Sequence, residues 1–308
     1  MASDHAKQGL SVVLVTFNSA DVVVTALEAL ATTSDVELVV VDNASADDSV
    51  AVVRRSWPDA VVIENSENVG FARAVNAGVR ASSGALVMLL NPDAQIAPAA
   101  VELLRAAARA HPGDVVAPFI EQPAPQRIVS AGRMPTVWRM LTHYSGLSRL
   151  APSVPLFEGH YLLPRQVHRT MSVQWVTGAC FLVPRATWDD VGGLDERWFM
   201  YAEDIEFCLR VRRSGHRLWL VPAARAGHLV GRSDSRATAT TNPAWVLNLR
   251  DFYATDLAPN RAAVALWTAV VAAGLAVRGA LAALRRGVRN PAARSLLGYS
   301  SALLRRRR

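Results

Sequence analysis

Across its first ninety residues this chain alternates short apolar runs with segments of helical spacing, and that alternation most constrains what it can fold into. The first run, LSVVLVTF (residues 10–17), is rich in β-branched residues and stops at the polar pair Asn18-Ser19. Residues 20–31 then place Val23, Leu27 and Leu30 at helical spacing. ELVVV (37–41) reads as a second buried strand, ended by Asp42-Asn43-Ala44-Ser45. A helix over about 47–55 leads to a strand at 60–63, and Asn68-Val69-Gly70 opens a helical segment reaching Val79. After Ser83-Gly84, ALVMLL (85–90) reads as a fourth buried strand. Strands and helices joined by short polar connections predict a parallel, doubly wound α/β sheet. Ligands of such sheets sit at the carboxyl ends of the strands. Here those ends carry Asn18, Asp42 and Asn91-Pro92-Asp93.

The second half is less regular. Residues 121–170 hold six prolines and only two acidic residues, Glu121 and Glu158, and read as an irregular insertion. VQWVTGACFLVP (173–184) resumes a strand pattern, interrupted by Thr177-Gly178-Ala179. An aromatic patch, Trp198-Phe199-Met200-Tyr201, precedes a helix over about 203–213 that Gly215 terminates. A strand at 217–221 is followed by Gly227-His228. The parts expected are therefore residues 8–115 and 173–235 as two halves of one α/β domain, a variable insertion at 116–172, and a helical tail at 236–308. The 308 residues are 51% hydrophobic, enough to bury a full core. The two cysteines, Cys180 and Cys208, have no CxxC spacing, so a thiolate metal site and a disulfide framework are both disfavoured and a reducing cytosol fits. MASDHAKQ lacks the charged start and apolar run of a signal peptide.

The net charge of +7 belongs to the tail. From Arg261 onward there are ten arginines and no Asp or Glu, and the remaining chain has 23 basic against 26 acidic residues. A mildly acidic body argues against a nucleic-acid binder. Residues 262–277 carry no charge, which falls short of the roughly 20 residues of a spanning helix. An apolar helix beside RGALAALRRGVRN and Arg305 to Arg308 reads as a helix lying on an anionic membrane surface. Packing on the protein or on a second subunit, as in a homodimer, is the competing explanation.

Several residues have the chemistry of a site, each with a plainer reading beside it. Asp93 at a strand end suits a hard divalent cation such as Mg2+ or Mn2+, although Asn-Pro-Asp is also a common turn. Glu203, Asp204 and Glu206 open a helix, where acidic residues also favour the helix dipole. Beside aromatics, one of these carboxylates could serve as a general base. His228 gains weight as a metal ligand only if it converges with Asp93. Asp42 could accept from a ribose or base edge, or Asp42 or Ser45 could cap the following helix. Arg73 could meet a diphosphate or lie on a solvated helix face. No GxGxxG, Walker-type or GxSxG pattern is present.

In order along the chain, VTFNSA (15–20), VVDNASADDS (40–49), NVGFARAVNAG (68–78), LLNPDA (89–94), VTGACFLVPR (176–185), GGLDERWFMYAEDIEFCLR (192–210) and GHLVGRS (227–233) resemble glycosyltransferase family 2. Within that family the chain looks most like a bacterial rhamnosyltransferase branch acting on cell-wall or polysaccharide precursors. The resemblance implies a GT-A fold, Rossmann-like with a mostly parallel central sheet and flanking helices, plus the C-terminal helical tail. It implies that Thr16, Phe17, Asn18 and Asp42 hold the nucleoside, that Arg73 and Asn91 meet the donor, and that Asp93 and His228 hold Mg2+ or Mn2+. Asn91 departs from the usual Asp-x-Asp form, which removes one protein ligand. Asp204 corresponds to the catalytic base. Thr177, Gly178, Ala179 and Glu203 fall on the acceptor side, and Trp198 and Tyr201 offer flat faces for sugar rings or serve as core. The implied activity is inverting transfer, best matched to L-rhamnose from dTDP-L-rhamnose, onto a hydroxyl of a glycan or polyprenyl-linked acceptor. UDP-galactofuranose, UDP-N-acetylglucosamine or GDP-mannose are the alternative donors, and a non-catalytic glycan-binding or scaffold role is the alternative class. The location implied is cytoplasmic, peripheral at the inner face of the cell membrane, with no nucleic-acid partner.

Overall fold

A computed structural model describes residues 9–122, 128–228 and 242–305, with only the backbone described at 121, 122 and 228. The end of the GHLVGRS segment and Arg306 to Arg308 lie outside the described residues. The chain divides into two compact units. The first comprises Met1–Ala131, Val167–Phe199 and Glu203–Arg236; the second comprises Gly132–Gln166, Met200–Ala202 and Ala237–Arg308.

The first unit begins with β1 (Leu10–Thr16), α1 (Ala20–Leu30), β2 (Val36–Asp42), α2 (Ser49–Ser56), β3 (Val61–Glu64), α3 (Phe71–Ala81) and β4 (Leu86–Leu90). These follow the predicted alternation closely. Then come β5 (Ala94–Ile96), α4 (Pro98–Ala110), β6 (Val115–Phe119) and the short strands β7 (Glu121–Gln122), β8 (Ile128–Val129) and β9 (Ala131–Gly132). The unit resumes with β10 (Met171–Val173), β11 (Trp175–Val176), β12 (Cys180–Pro184), α7 (Arg185–Val191), α8 (Glu203–Arg213) and β13 (Leu218–His228).

Nine strands form the central sheet, in the order β10-β13-β6-β12-β4-β1-β2-β3 with β5 joined to β13. The pairs β2–β3, β1–β2 and β1–β4 are parallel, as is β6–β13. The sheet departs from all-parallel at β12, which runs antiparallel to β4 and to β6, and at β10 and β5, each antiparallel to β13. Leu10, Val12 and Leu14 face the cluster that buries Leu27 and Leu30 of α1 and Val101 and Leu104 of α4. Val13 faces the other way, where Gly78 of α3 approaches so closely that a Cβ there would lie 2.6 Å from Val13 Cγ1. Helices thus cover both faces, which is why the strands read as unbroken apolar runs rather than alternating ones.

The second unit is helical: α5 (Val137–Ser145), α6 (Leu147–Leu150), α9 (Ala244–Phe252), α10 (Arg261–Arg286) and α11 (Pro291–Leu304). The stretch expected to be irregular therefore contains a nine-residue helix, with Thr136 accepting a hydrogen bond from the Arg139 N–H at its start. Trp267, fully buried, stacks on Tyr253 at 5.4 Å and donates its indole N–H to the Pro135 carbonyl at 2.6 Å. The charge-free run understated its helix: α10 has 26 residues, because the flanking arginines are good helix formers and its ends are set by Asn260 and Gly287. By length and composition alone α10 is long and apolar enough to cross a membrane.

Candidate active site

The carboxyl ends of the parallel strands build the first part of the site. β1 and β2 are in register at Thr16 and Asp42. Thr16 donates its hydroxyl to Asp42 Oδ1 at 2.7 Å, and the Ser45 N–H reaches Oδ2 at 2.8 Å. Ser45 Oγ bonds Asp42 Oδ1 at 2.5 Å and accepts the Asn18 N–H at 2.9 Å. Asn18 Oδ1 in turn accepts the Ala46 N–H at 2.8 Å. Asn18 and Ala44 sit at φ 50° and 62°, left-handed conformations that asparagine tolerates better than most residues. Asp42 and Ser45 are therefore not the cap of α2, whose N-cap position is Asp48. Instead Asp42, 3% exposed, braces two loops against one another. Each carboxylate oxygen takes about two hydrogen bonds, so Oδ1 is full while Oδ2, with the Ser45 N–H alone among these, can accept one more. A depression of about 500 Å³ opens beside it, lined by Asp42, Ser45, Arg54, Glu64 and Asn65. Between Thr16 and Asn18 the Phe17 N–H donates to Ser19 Oγ at 3.2 Å.

Beyond β4 the chain turns through Asn91-Pro92-Asp93. The Asn91 N–H donates to the Ala179 carbonyl at 2.9 Å, and the Ala94 N–H closes the turn on the Asn91 carbonyl at 3.0 Å. β5 then pairs antiparallel with the end of β13, placing the backbone of His228 opposite Ala94. Two residues more than 130 positions apart in sequence thus come to the same strand end; of the His228 side chain nothing is described. Asp93 is 3% exposed. A sheltered carboxylate at this strand end is an oxygen donor of the kind a hard divalent cation takes. Among the described residues no group of three His, Cys, Asp or Glu side chains gathers. A cation here would draw its remaining ligands from a bound diphosphate.

The third part is the start of α8. Tyr201 and Ala202 precede it at φ 72° and 83°, two consecutive non-glycine residues in the left-handed region. Each such residue costs on the order of 1–3 kcal/mol, and strain of this kind concentrates at functional sites. Asp204 is half-buried: Oδ2 accepts the Gly178 N–H at 2.9 Å and Oδ1 the Ile205 N–H at 2.8 Å. Although part of the residue remains open, its carboxyl is deep enough that burial raises its pKa, against the pull of those two N–H groups. Glu203 is 5% exposed, and among the described residues its Oε2 has no hydrogen-bond partner. Burial, and then the adjacent Asp204 charge, push the Glu203 carboxyl up to about 8. Glu206 is committed elsewhere: its two oxygens take Arg210 Nε and Nη2, both at 2.7 Å, and Arg210 Nη2 also reaches the Gly193 carbonyl at 2.7 Å. That bidentate pair holds α8 to the preceding loop and removes Glu206 as a base.

Sequence reasoning missed the residues that hold the approach to α8. Asn76, 7% exposed on α3, accepts the Leu194 N–H and donates to the Leu194 carbonyl and to Glu196 Oε1, each at 2.9 Å. Gly193, at φ 73°, leaves room for it; a Cβ there would stand 2.7 Å from Asn76 Oδ1. The Phe71 N–H bonds the Phe199 carbonyl at 2.9 Å, and a Cβ on Gly70 would meet that same carbonyl at 2.5 Å. A buried asparagine within a helix was the available signal for Asn76. Arg73 is exposed and lies 3.5 Å from Glu196, also exposed. Trp198 is buried with the Arg197 guanidinium 4.0 Å over its ring, whereas Phe199 and Tyr201 are exposed. Thr177 points its Oγ1 back to the Ala179 N–H at 3.3 Å.

The sequence pattern of glycosyl transferase family 2 matches residues 11–169. Over 224 residues the chain is 30% identical to the N-acetylglucosaminyl-diphospho-decaprenol L-rhamnosyltransferase of Mycobacterium tuberculosis, covering 68% of this chain and 72% of that protein. It is 29% identical over 184 residues to the low-salt glycan biosynthesis hexosyltransferase Agl10 of Haloferax volcanii, covering 58% and 53% of the two chains. Among solved structures, mannosyltransferase PcManGT from Pyrobaculum calidifontis in complex with GDP-Man and Mn2+ superposes with a TM-score of 0.55 at 18% identity, covering 97% of this chain and 85% of that one. S. aureus TarS 1–349 does so with a TM-score of 0.52 at 15% identity, covering 96% and 90%. At these identities the likeness to the solved structures is one of fold.

Proposed function

This chain belongs to glycosyl transferase family 2, and from that premise we propose that it is an inverting, metal-dependent transferase carrying L-rhamnose from dTDP-L-rhamnose to a lipid-linked glycan. One observation carries the reading: two adjacent backbone links tie the donor side of the site to the acceptor side. Asn91, beside Asp93, bonds the Ala179 carbonyl, and the neighbouring Gly178 N–H holds Asp204. A carboxylate suited to a diphosphate-bound cation and a carboxylate suited to a hydroxyl proton thereby share one short stretch of scaffold. The choice of sugar and of a polyprenyl diphosphate acceptor rests on the name of the mycobacterial relative, with which this chain shares 30% identity.

The chemistry follows from these residues. Asp42, Thr16 and Asn18 hold the nucleoside at the ends of β1 and β2. Asp93, with His228, would hold Mg2+ or Mn2+, which when bound neutralises charge on the departing diphosphate. Asp204 accepts the proton of an acceptor hydroxyl as that oxygen bonds to the anomeric carbon. The bond from that carbon to the diphosphate oxygen breaks on the opposite face, and the nucleoside diphosphate leaves with the electron pair. One displacement needs no second nucleophilic carboxylate and inverts the anomeric centre. Glu203, Thr177 and the exposed Tyr201 belong to the acceptor side of this proposal. The arginine-rich tail and the apolar α10 support a position at the inner face of a membrane, where a lipid-linked acceptor would be met.

Donor preference is tested by thermal shift with dTDP-rhamnose, UDP-galactofuranose, UDP-N-acetylglucosamine and GDP-mannose, each with and without Mn2+ or Mg2+. A ligand at about a hundred times its Kd adds roughly 2.7 kcal/mol, which is several degrees in Tm. The expected result is the largest shift with dTDP-rhamnose and metal. A larger shift with another donor would reassign the sugar, and no shift with any donor would sink the reading.

A further inference from the structure

The second unit contains a cation, Arg278, that no carboxylate among the described residues neutralises. Arg278, half-buried in the middle of α10, donates Nη2 to the His143 carbonyl and Nη1 to His143 Nε2 at 3.2 Å, and its guanidinium lies 4.7 Å from the Tyr144 ring centroid. Every one of these partners is uncharged. Burial, and next the Arg278 charge, hold His143 well below the usual histidine range, so its ring is neutral. The carbonyl end of α5 offsets part of the positive charge, about half an elementary charge at most. Among the described residues no carboxylate supplies the rest. The acidic residues of the second unit are Glu158, already held by Arg133 at 2.7 Å and Arg139 at 3.8 Å, and Asp251 and Asp256, neither of which acts on Arg278. A further charge acting on both His143 and Arg278 is Arg149 of α6, of the same sign. A sheltered guanidinium with unspent N–H donors and no counter-charge among the described residues is the side of a phosphate pair that a protein supplies.

The surface around it is apolar. Tyr144 packs where a Cβ on Gly274 would lie 2.4 Å away, so α5 covers α10 up to that turn. Beyond it, Arg278, Leu281 and Arg285 follow at helical spacing on one face, with Leu281 46% and the neighbouring Leu284 82% exposed. α6 adds Leu150, 80% exposed. Arginines alternating with exposed leucines match an amphiphile better than a soluble anion.

We propose that this face of α6 and α10 binds the phosphate of an anionic membrane lipid, with Arg278 on the phosphate and Leu150 and Leu281 against the adjoining acyl region. This rests on the reading that the enzyme works at a membrane and assigns the residues that hold it there. The experiment is co-sedimentation of the full chain with phosphatidylglycerol-containing vesicles and with phosphatidylcholine vesicles, alongside transfer to a soluble acceptor. Wild type sediments with the anionic vesicles only, and Arg278→Gln binds them about fivefold more weakly. Leu150→Glu, on an exposed side chain that leaves folding intact, binds about tenfold more weakly. Both variants keep soluble transfer. Wild type that ignores vesicles overturns both this proposal and the membrane location while leaving the transferase reading standing. Vesicle binding unchanged in both variants overturns this proposal alone. So does inorganic phosphate that raises the Tm through Arg278 without any vesicle preference, or a concentration-dependent dimer broken by Leu150→Glu with vesicle binding intact.

Discussion

Asp204→Asn lowers the transfer rate by a factor of ~10²–10⁴ and leaves nucleotide-sugar binding in place, the range expected for removing a general base. The substitution is conservative where it stands. An asparagine oxygen still accepts the Gly178 N–H that now lies 2.9 Å from Asp204 Oδ2. The bond lost is that from the Ile205 N–H at 2.8 Å, which lies at the helix start and contributes about 0.5–1.5 kcal/mol. A melting curve separates that small structural loss from the catalytic one, and a binding isotherm for the donor separates catalysis from affinity. Glu206 cannot take over, because Arg210 holds both its oxygens. Transfer that survives the change would move the base to Glu203.

Glu203→Gln makes the protein more stable at pH 8.5 and changes it little at pH 5.5. The Glu203 carboxyl is raised by burial to about 8, so the folded state holds its proton more tightly than the unfolded chain does. Its stabilising contribution is complete below about pH 4.5, the unfolded value, and is lost as pH rises through the folded one. Asp204 is raised as well and adds a slope of the same sign. Glutamine mimics the protonated acid at every pH and removes the Glu203 part of that slope, a difference on the order of a few kcal/mol at alkaline pH. Urea melts of both proteins across this range measure it. An unchanged pH slope in the variant would mean that Glu203 is ionised in the fold at neutral pH.

Much of this architecture could be read from local pattern. The strands at 10–17, 37–41 and 85–90 and the helix at 203–213 lie within a residue or so of β1, β2, β4 and α8, because each buries its own apolar run. Pairing across the sheet could not be read. β12 enters antiparallel between β4 and β6, and β13 runs on to His228 where 217–221 alone had strand character. That extension depends on Phe119 and β5, far away in sequence, as partners for a polar and small-residue stretch. For the same reason the strand ends carrying Asp42 and Asp93 were visible, whereas Asn76 and the Gly70–Phe199 contact were not. Asp42 carried an ambiguity that only the folded loops resolve, since capping and bracing look alike in DNAS. In the tail, charge-free length was a poor guide to helix length, as arginines continue α10 for two more turns.

Proton NMR of the product formed from an α- or β-configured donor tests the central claim most directly. A single displacement driven by Asp204 gives the anomer opposite to that of the donor sugar. A product of retained configuration would require a second nucleophile and would contradict the account.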